Sequence, residues 1–442
     1  MPSEETRMTQ PLSATLLTEY LADARTRTFD LVRGLDAAQL MGPRLDIVNP
    51  LLWEIGHVGW FHEHFALRRL DGGVPRLPDA DALYNSSTVP HDTRWELPLP
   101  SLQGTLDYMA RVQDAMVQRL GSGVASAEET ELYLLTVYHE DMHDEAFTYT
   151  RQTLGYKAPE FSTVQHTDTE TIDAGPLPGD VAVPGGVLQL GSPSDAPFVF
   201  DNEKWAHPVT VAPFRIARVP VTNLEFLIFV TEGGYRRREF WSDGGWRWRE
   251  AAGAEHPLYW ARQPDGWAVR KFHRLQPLRP YQPIIHANWY EAEAWCHWAG
   301  RRLPTEAEWE AAAATEPTPD GGMAARKRRY PWGDEAPLPH HANLDGNALG
   351  VVDVAAFAAG DSAWGCRQML GNVWEWTATA FEPFPGFAPD AYEDYSAPWF
   401  GTRKVLRGGA WATRGRMVSN MYRNFFTPER RDVMAGFRTC AL

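Results

Sequence analysis

His139-Glu140-Asp141-Met142-His143 lies inside the apolar stretch 132–149. Its two histidines are four residues apart. On a helix that spacing puts both imidazoles on one face, one turn apart. Leu132, Leu135 and Ala146 fall near the same stripe, so this face should look into a core. Two neutral imidazoles on a buried face can hold a transition metal if a third ligand arrives from elsewhere. The competing reading is two core histidines satisfied by hydrogen bonds. An i, i+4 pair on an apolar helix face favours the metal.

Working outward, Ser126-Ala127-Glu128-Glu129 is a capping box that opens this helix. Ser101 can cap a helix to about residue 120, and Ser13 one to about residue 35. Pro50 suits the first turn of another, ending near Leu70 before Asp71-Gly72-Gly73. Residues 73–100 are rich in Pro, Asp and Ser and read as a long excursion, a feature usually functional or disordered. Four amphipathic helices with one long crossover make a bundle. Bundles build metal sites from inward side chains on facing helices.

The helix after Pro50 holds the candidate third ligand. In Leu51-Leu52-Trp53-Glu54-Ile55-Gly56-His57-Val58-Gly59-Trp60-Phe61, His57 sits among apolar residues where a free imidazole is poorly solvated. Gly56 and Gly59 weaken the helix, which implies close packing or a functional reason. His62 is off the face of His57 and reads as solvated. His64 could share that face but reads better as a histidine satisfied by hydrogen bonds than as a ligand. His57, His139 and His143 together leave open coordination positions, the mark of a catalytic metal.

Composition sets outer bounds. A chain of 442 residues is too long for one ordinary core, so two or three domains are expected. With 44% hydrophobic and 22% charged residues it reads as soluble and globular. There is no run of about eighteen apolar residues to span a membrane, and the polar N-terminus lacks a signal-peptide core. The net charge of −15 argues against nucleic-acid or anionic-membrane partners. Cys296, Cys366 and Cys440 lack metal-type spacing and cannot all pair, which suggests reduced thiols in the cytoplasm.

The expected organisation is a flexible N-terminus over 1–12, an all-α four-helix bundle over 13–155, a linker over 156–183 and an α+β domain over 184–442. Sixteen of the nineteen tryptophans lie beyond residue 200. In the second half, helices are clear after Asn288 and after Thr305, where Glu308 completes a capping box. The remainder reads as short strands, loops and tight turns.

Four ordered motifs then carry a resemblance. They are Arg301-Arg302-Leu303-Pro304-Thr305-Glu306-Ala307-Glu308-Trp309-Glu310, Tyr330-Pro331-Trp332-Gly333-Asp334, Gly371-Asn372-Val373-Trp374-Glu375-Trp376-Thr377 and Arg407-Gly408-Gly409-Ala410-Trp411. This half resembles the sulfatase-modifying-factor (formylglycine-generating) fold, a relative of the C-type lectins. The bundle resembles the DinB family, whose three-histidine metal site matches His57, His139 and His143. Their fusion looks like the ergothioneine sulfoxide synthases and the related selenoneine synthases. The resemblance implies a mononuclear non-haem iron(II) enzyme that uses dioxygen to join sulfur or selenium to the imidazole C2 of hercynine. It places Asn424 and Phe425 at the trimethylammonium group, which aromatic faces hold well. Arg430 is expected to meet the hercynine carboxylate. With metal ligands in one domain and these residues in the other, the active site is expected between them.

The sequence departs from the sulfoxide-synthase pattern at the donor. Asn-Trp-Asp in that pattern is Asn424-Phe425-Phe426 here, and a pair of arginines is His91 and Arg94. The Gln before the third histidine is Met142, and a tyrosine proton donor corresponds to Phe384, leaving the catalytic acid unassigned. Loss of charged partners fits a neutral donor, a selenosugar, better than γ-glutamylcysteine. Phe200 to His207 and Gly360 to Gln368 look similar to the selenoneine-synthase branch. The alternative is an ergothioneine sulfoxide synthase using cysteine or γ-glutamylcysteine.

Two remoter classes compete. The histidine motif fits the H-E-x-x-H pattern of zinc hydrolases. Tyr149 stands where a metzincin needs His, though Glu160 could be a thermolysin-like third ligand. A lectin-like binding module would leave three histidines unexplained. Sulfatase activation is disfavoured because residues 412–426 hold none of the cysteines that the resemblance requires.

Overall fold

The computed structural model of the chain describes residues 10–164 and 173–442. Residues 1–9 of the expected N-terminal tail and 165–172 of the expected linker lie outside them. The chain divides into two compact units. One is Met1–Thr163 with Ser194–Phe200 and Pro389–Tyr395, and the other is Val164–Pro193, Asp201–Ala388 and Ser396–Leu442. The two short segments therefore depart from the 184–442 boundary. They carry Phe198, Phe200, Tyr392 and Tyr395, whose rings find partners on the bundle helices, such as Phe198 on Tyr138 and Tyr392 on Phe61. The linker expected over 156–183 ends in a paired strand, β1 (Asp180–Val183).

The first unit runs α1 (Ala14–Val32), α2 (Ala37–Met41), α3 (Leu51–His62), α4 (Arg69–Asp71), α5 (Ala80–Tyr84), α6 (Leu102–Leu120) and α7 (Ala127–Leu154). Its long helices α1, α3, α6 and α7 form the bundle, with α3 packed on both α6 and α7 and α1 on α7. Ser13 and Ser101 cap α1 and α6 by accepting from the N–H groups of Leu16 and Gly104. Ser126 and Glu129 form the reciprocal box that starts α7. After His62 the third helix widens into a π-helical turn, Glu63–Arg68, before α4.

Close packing explains the α3 glycines. A Cβ on Gly56 would stand 2.3 Å from the Tyr84 ring, and one on Gly59 would stand 2.9 Å from Met109. Any side chain at Gly56 would push Tyr84 away, and with it the backbone carbonyl that His57 uses. The interior of this unit is also tied by charge. Glu140 on α7 accepts from Arg25 Nε at 2.8 Å and Thr28 Oγ1 at 2.7 Å, both on α1.

The second unit is built on four small sheets. Strands β1, β4 (Phe214–Ala217), β13 (Cys440–Ala441) and β8 (Arg301–Arg302) form one. Strands β11 (Asn424–Phe426), β10 (Lys404–Arg407), β9 (Trp374–Ala380) and β12 (Ala435–Gly436) form another. The others pair β2 (Gly186–Leu190) with β3 (His207–Val211), and β5 (Trp260–Gln263), β6 (Gly266–Lys271) and β7 (Arg274–Pro277) as a meander. The helices are α8 (Asn223–Thr231), α9 (Asp243–Ala252), α10 (Trp289–Ala299) and α11 (Glu306–Ala314). Asn288–Glu291 and Thr305–Glu308 boxes open α10 and α11. The sequence reading missed α8 and α9, although Thr222–Glu225 is a third such box. The recognised motifs converge inside: Arg407 bonds Glu306 and Glu310 of α11, and Trp309 Nε1 donates to Glu375. Gly408 adopts φ +100°, and a Cβ there would stand 2.6 Å from the Met369 carbonyl oxygen.

Candidate metal centre

Three histidines meet in the first unit. One ring nitrogen from each of His57, His139 and His143 lies within 4.8 Å of the others. Helix α3 supplies the first and α7 the other two, so the i, i+4 spacing and the bundle together make the cluster. His57 and His139 are 2% and 3% exposed, whereas the His143 side chain is 19% exposed.

Each ring is held differently. His57 lies between Trp53, stacked at 5.0 Å and 8°, and Trp60, at 5.7 Å and 25°. Its Nδ1 is 2.8 Å from the Tyr84 carbonyl oxygen. His143 Nδ1 is 2.7 Å from Glu54 Oε1. In both, the first nitrogen faces an acceptor and Nε2 is left for a ligand, given the corresponding tautomer. His139 lies on Phe61 at 3.5 Å and 6°, and its buried Nδ1 has no hydrogen-bond partner.

Burial, then repulsion from His143, pushes His57 and His139 well below the usual imidazole range. Both are neutral at pH 7 and keep a lone pair. Neutral, buried imidazoles with an unsatisfied nitrogen fit a transition metal, and three nitrogen donors leave positions open.

The glutamate of the motif points away from a hydrolase. Glu140 is fully buried and bonded by Arg25, Thr28 and His62, with His62 Nε2 at 2.9 Å. Burial raises its carboxyl, but Arg25 and His62 outweigh this and hold it well below the usual range. It is saturated by structural partners and has no freedom to activate water. Glu160 is exposed and is not part of the histidine cluster. His62, read from sequence as solvated, is 1% exposed, because it completes this network.

Tyr392 stands beside the histidines, with its ring 6.0 Å from His139, 5.0 Å from Phe61 and 5.3 Å from Phe65. Burial pushes its phenol above the usual range, opposed by a bond with Ser86. Phe384, the position expected for a proton donor, instead packs under the Arg423 guanidinium at 4.0 Å and beside His207. Arg94 is buried and stacked 3.9 Å over Trp53. It donates to Asn49 and to the Val89 carbonyl, with no carboxylate partner among the described residues. Burial pulls it down to about 10, against the pull of Glu54 and Tyr392. His91 Nε2 is 2.7 Å from the Val48 oxygen.

In the second unit, Asn424, Phe425 and Phe426 form β11, registered against Leu406, Val405 and Lys404. Phe425 stacks on Phe381 at 4.0 Å, and the Asn424 side-chain oxygen accepts from the Phe425 N–H. Arg430 forms a two-pronged pair with Asp432 at 2.6 Å and lies 5.1 Å over Phe426. In this structure the Arg430 fork is thus occupied by Asp432. Sequence reasoning missed Tyr392, Glu54 and Trp53. Only Glu54, one turn before His57, carried a signal.

Residues 20–147 match the DinB superfamily, and residues 165–441 match the sulfatase-modifying factor enzyme 1-like domain. Fold and site thus define a class in which a DinB-type bundle precedes a sulfatase-modifying-factor domain. The hercynine oxygenase of Mycolicibacterium thermoresistibile is 41% identical over 440 residues, spanning 96% of this chain and 94% of the relative. That of Mycobacterium tuberculosis is 38% identical over 424 residues, spanning 95% and 97%. The chain belongs to the hercynine oxygenase family. A formylglycine-generating enzyme of Streptomyces coelicolor is 32% identical over 60% of this chain and 88% of its own. Among the described residues no helix is long and apolar enough to cross a membrane, and all three cysteines are unbridged and buried.

Proposed function

We propose that this protein joins a chalcogen to the imidazole C2 of hercynine in an iron(II)- and dioxygen-dependent reaction, with a selenosugar as donor. The carrying observation is the three-histidine cluster in a chain that aligns over 96% of its length with a hercynine oxygenase. His57, His139 and His143 would hold the iron. When bound, iron supplies open coordination positions and redox chemistry that side chains lack.

The chain's own residues do the rest. Trp53, Trp60 and Phe61 wall the histidines and exclude water. Tyr392 keeps its proton at neutral pH and is the residue we assign to deliver it. Asn424 and Phe425 are assigned to the trimethylammonium group. For Arg430, a substrate carboxylate would have to share the guanidinium with Asp432.

A neutral donor is supported by what surrounds Tyr392. Ser86 stands beside the phenol, and Ser87 donates to the Asp394 carboxylate while Asn85 accepts from the Ser87 N–H. Hydroxyl and amide groups beside an aromatic ring suit a sugar. Neither His91 nor Phe426 offers the charge that γ-glutamylcysteine needs. One observation favours the second reading, an ergothioneine sulfoxide synthase with a cysteine or γ-glutamylcysteine donor. Among the described residues, Arg94 is a buried guanidinium that donates to Asn49 and Val89 and to no carboxylate. An aerobic assay with iron(II), hercynine and competing 1-seleno-glucose, cysteine and γ-glutamylcysteine decides by mass spectrometry. A dominant selenium product supports the proposal. Preferred use of either thiol establishes the second reading.

A further inference from the structure

The three histidines differ in what holds them, and the difference singles out Glu54. His57 is clamped between two indoles, and His139 lies flat on a phenyl ring. Among the described residues His143 has no stacked neighbour: apart from the other two histidines, its ring contact is Phe147, tilted at 6.3 Å. It is also the most exposed of the three. Among the described residues its polar tether is Glu54, with Oε1 2.7 Å from Nδ1.

We propose that Glu54 is a positioning residue for the metal centre, fixing the His143 ring and placing a negative charge behind it. The inference rests on the three-histidine reading above and assigns a role outside the ligand set. Glu54 precedes His57 by three residues on α3, so one helix supplies a ligand and the tether of a ligand on α7. A carboxylate accepting from Nδ1–H commits that nitrogen as donor and leaves the Nε2 lone pair for the metal. The negative charge also makes the imidazole a stronger ligand. The Glu54 side chain is 3% exposed, so its charge is little screened by water. Tyr84 gives His57 only a neutral carbonyl, and the His139 nitrogen has nothing. The three ligands are therefore unequal, with His143 the strongest donor.

The test compares full-length wild type with Glu54→Gln and Glu54→Ala. Cobalt(II) serves as probe, its affinity measured by chelator competition and its coordination by visible absorption. Folding of each apo-protein is followed by circular dichroism. The amide in Glu54→Gln can still accept from Nδ1–H but lacks the charge, while Glu54→Ala releases the ring. Affinity should fall in the order wild type, Gln, Ala, by roughly 10- to 100-fold for Ala, and the cobalt bands should shift in both. Should Glu54→Ala not fold, Glu54→Gln decides by the band shift and the loss of affinity. Folded variants that bind cobalt within about twofold of wild type with the same spectrum overturn the positioning role. If wild type and His57→Ala both fail to bind cobalt, the three-histidine reading fails and this inference with it.

Discussion

The His139 imidazole lies flat on the Phe61 ring, centroids 3.5 Å apart and planes inclined by 6°. Phe61 is four residues after His57 on the same helix, so one turn of α3 carries a candidate ligand and the platform for another. Phe61→Leu should keep the core filled but remove the flat face. A stacked aromatic pair contributes about 1 kcal/mol beyond buried area. We expect a drop in urea-unfolding stability of about that size or more, plus weaker metal binding. Unchanged metal affinity would show that His139 does not depend on this platform.

Removing a histidine tests the ligand set itself. His57→Ala, His139→Ala and His143→Ala should each abolish turnover and sharply lower the iron content of purified protein. Full iron occupancy in His57→Ala would refute the assignment.

Tyr392 is expected to act through its hydroxyl alone, since its ring packs on Phe61 and Phe65. Tyr392→Phe keeps that packing. Loss of a general acid costs roughly a hundredfold or more in rate, so kcat should fall on that scale with little change in KM for hercynine. A kcat within a few-fold of wild type removes Tyr392 from the proton-delivery role.

The helical half of the site was legible because local rules and tertiary structure agree there. Ser126 and Glu129 announced α7, and the spacing of His139 and His143 announced a shared face. Gly56 looked like a weakness and proved to be where the Tyr84 ring fits. What could not be read is what distant chain segments bring. Tyr392 lies more than 240 residues beyond His143, in a stretch without periodicity, and only the fold places it by His139. His62 was misread for a related reason. Helical spacing shows which face a residue occupies, but not that Glu140 and Arg25 are waiting on that side.

Rising pH should weaken the second unit through Glu203. Burial pushes this carboxyl up to about 8, with Ser192 donating to it. Arg407 and Arg423 are near, but both are committed to Glu306, and Arg407 also to Glu310, so they only partly compensate. A carboxyl whose folded pKa is raised contributes stability that is full below its unfolded value near 4.3. That contribution is lost as pH rises through about 8. Urea midpoints should therefore decline across this window. Glu203→Gln, with no proton to lose, should flatten the decline and be relatively more stable at pH 9. An unchanged slope would mean that Glu203 does not carry it.

The donor preference should be movable by restoring charge. γ-Glutamylcysteine has two carboxylates and one ammonium, and each buried charge left unpaired costs several kcal/mol. Arg94 is a suitable cation, already buried and, among the described residues, hydrogen-bonded to no carboxylate. Positions 91 and 426 add no charge: His91 has its Nε2 on the Val48 oxygen, and Phe426 lies under Arg430. The double variant His91→Arg with Phe426→Asp supplies a second fork and an acidic partner for the ammonium. The exchange need not perturb the bundle, because His91 lies in a short turn, His91–Thr93, outside the long helices. We expect kcat/KM for γ-glutamylcysteine to rise at least tenfold relative to 1-seleno-glucose, with iron content unchanged. Arg94→Ala in this background should cancel the gain, because a carboxylate needs that guanidinium whichever partner holds the rest. If the double variant leaves the ratio of the two donors unmoved, positions 91 and 426 do not face the donor. The charge argument for a selenosugar then loses its footing.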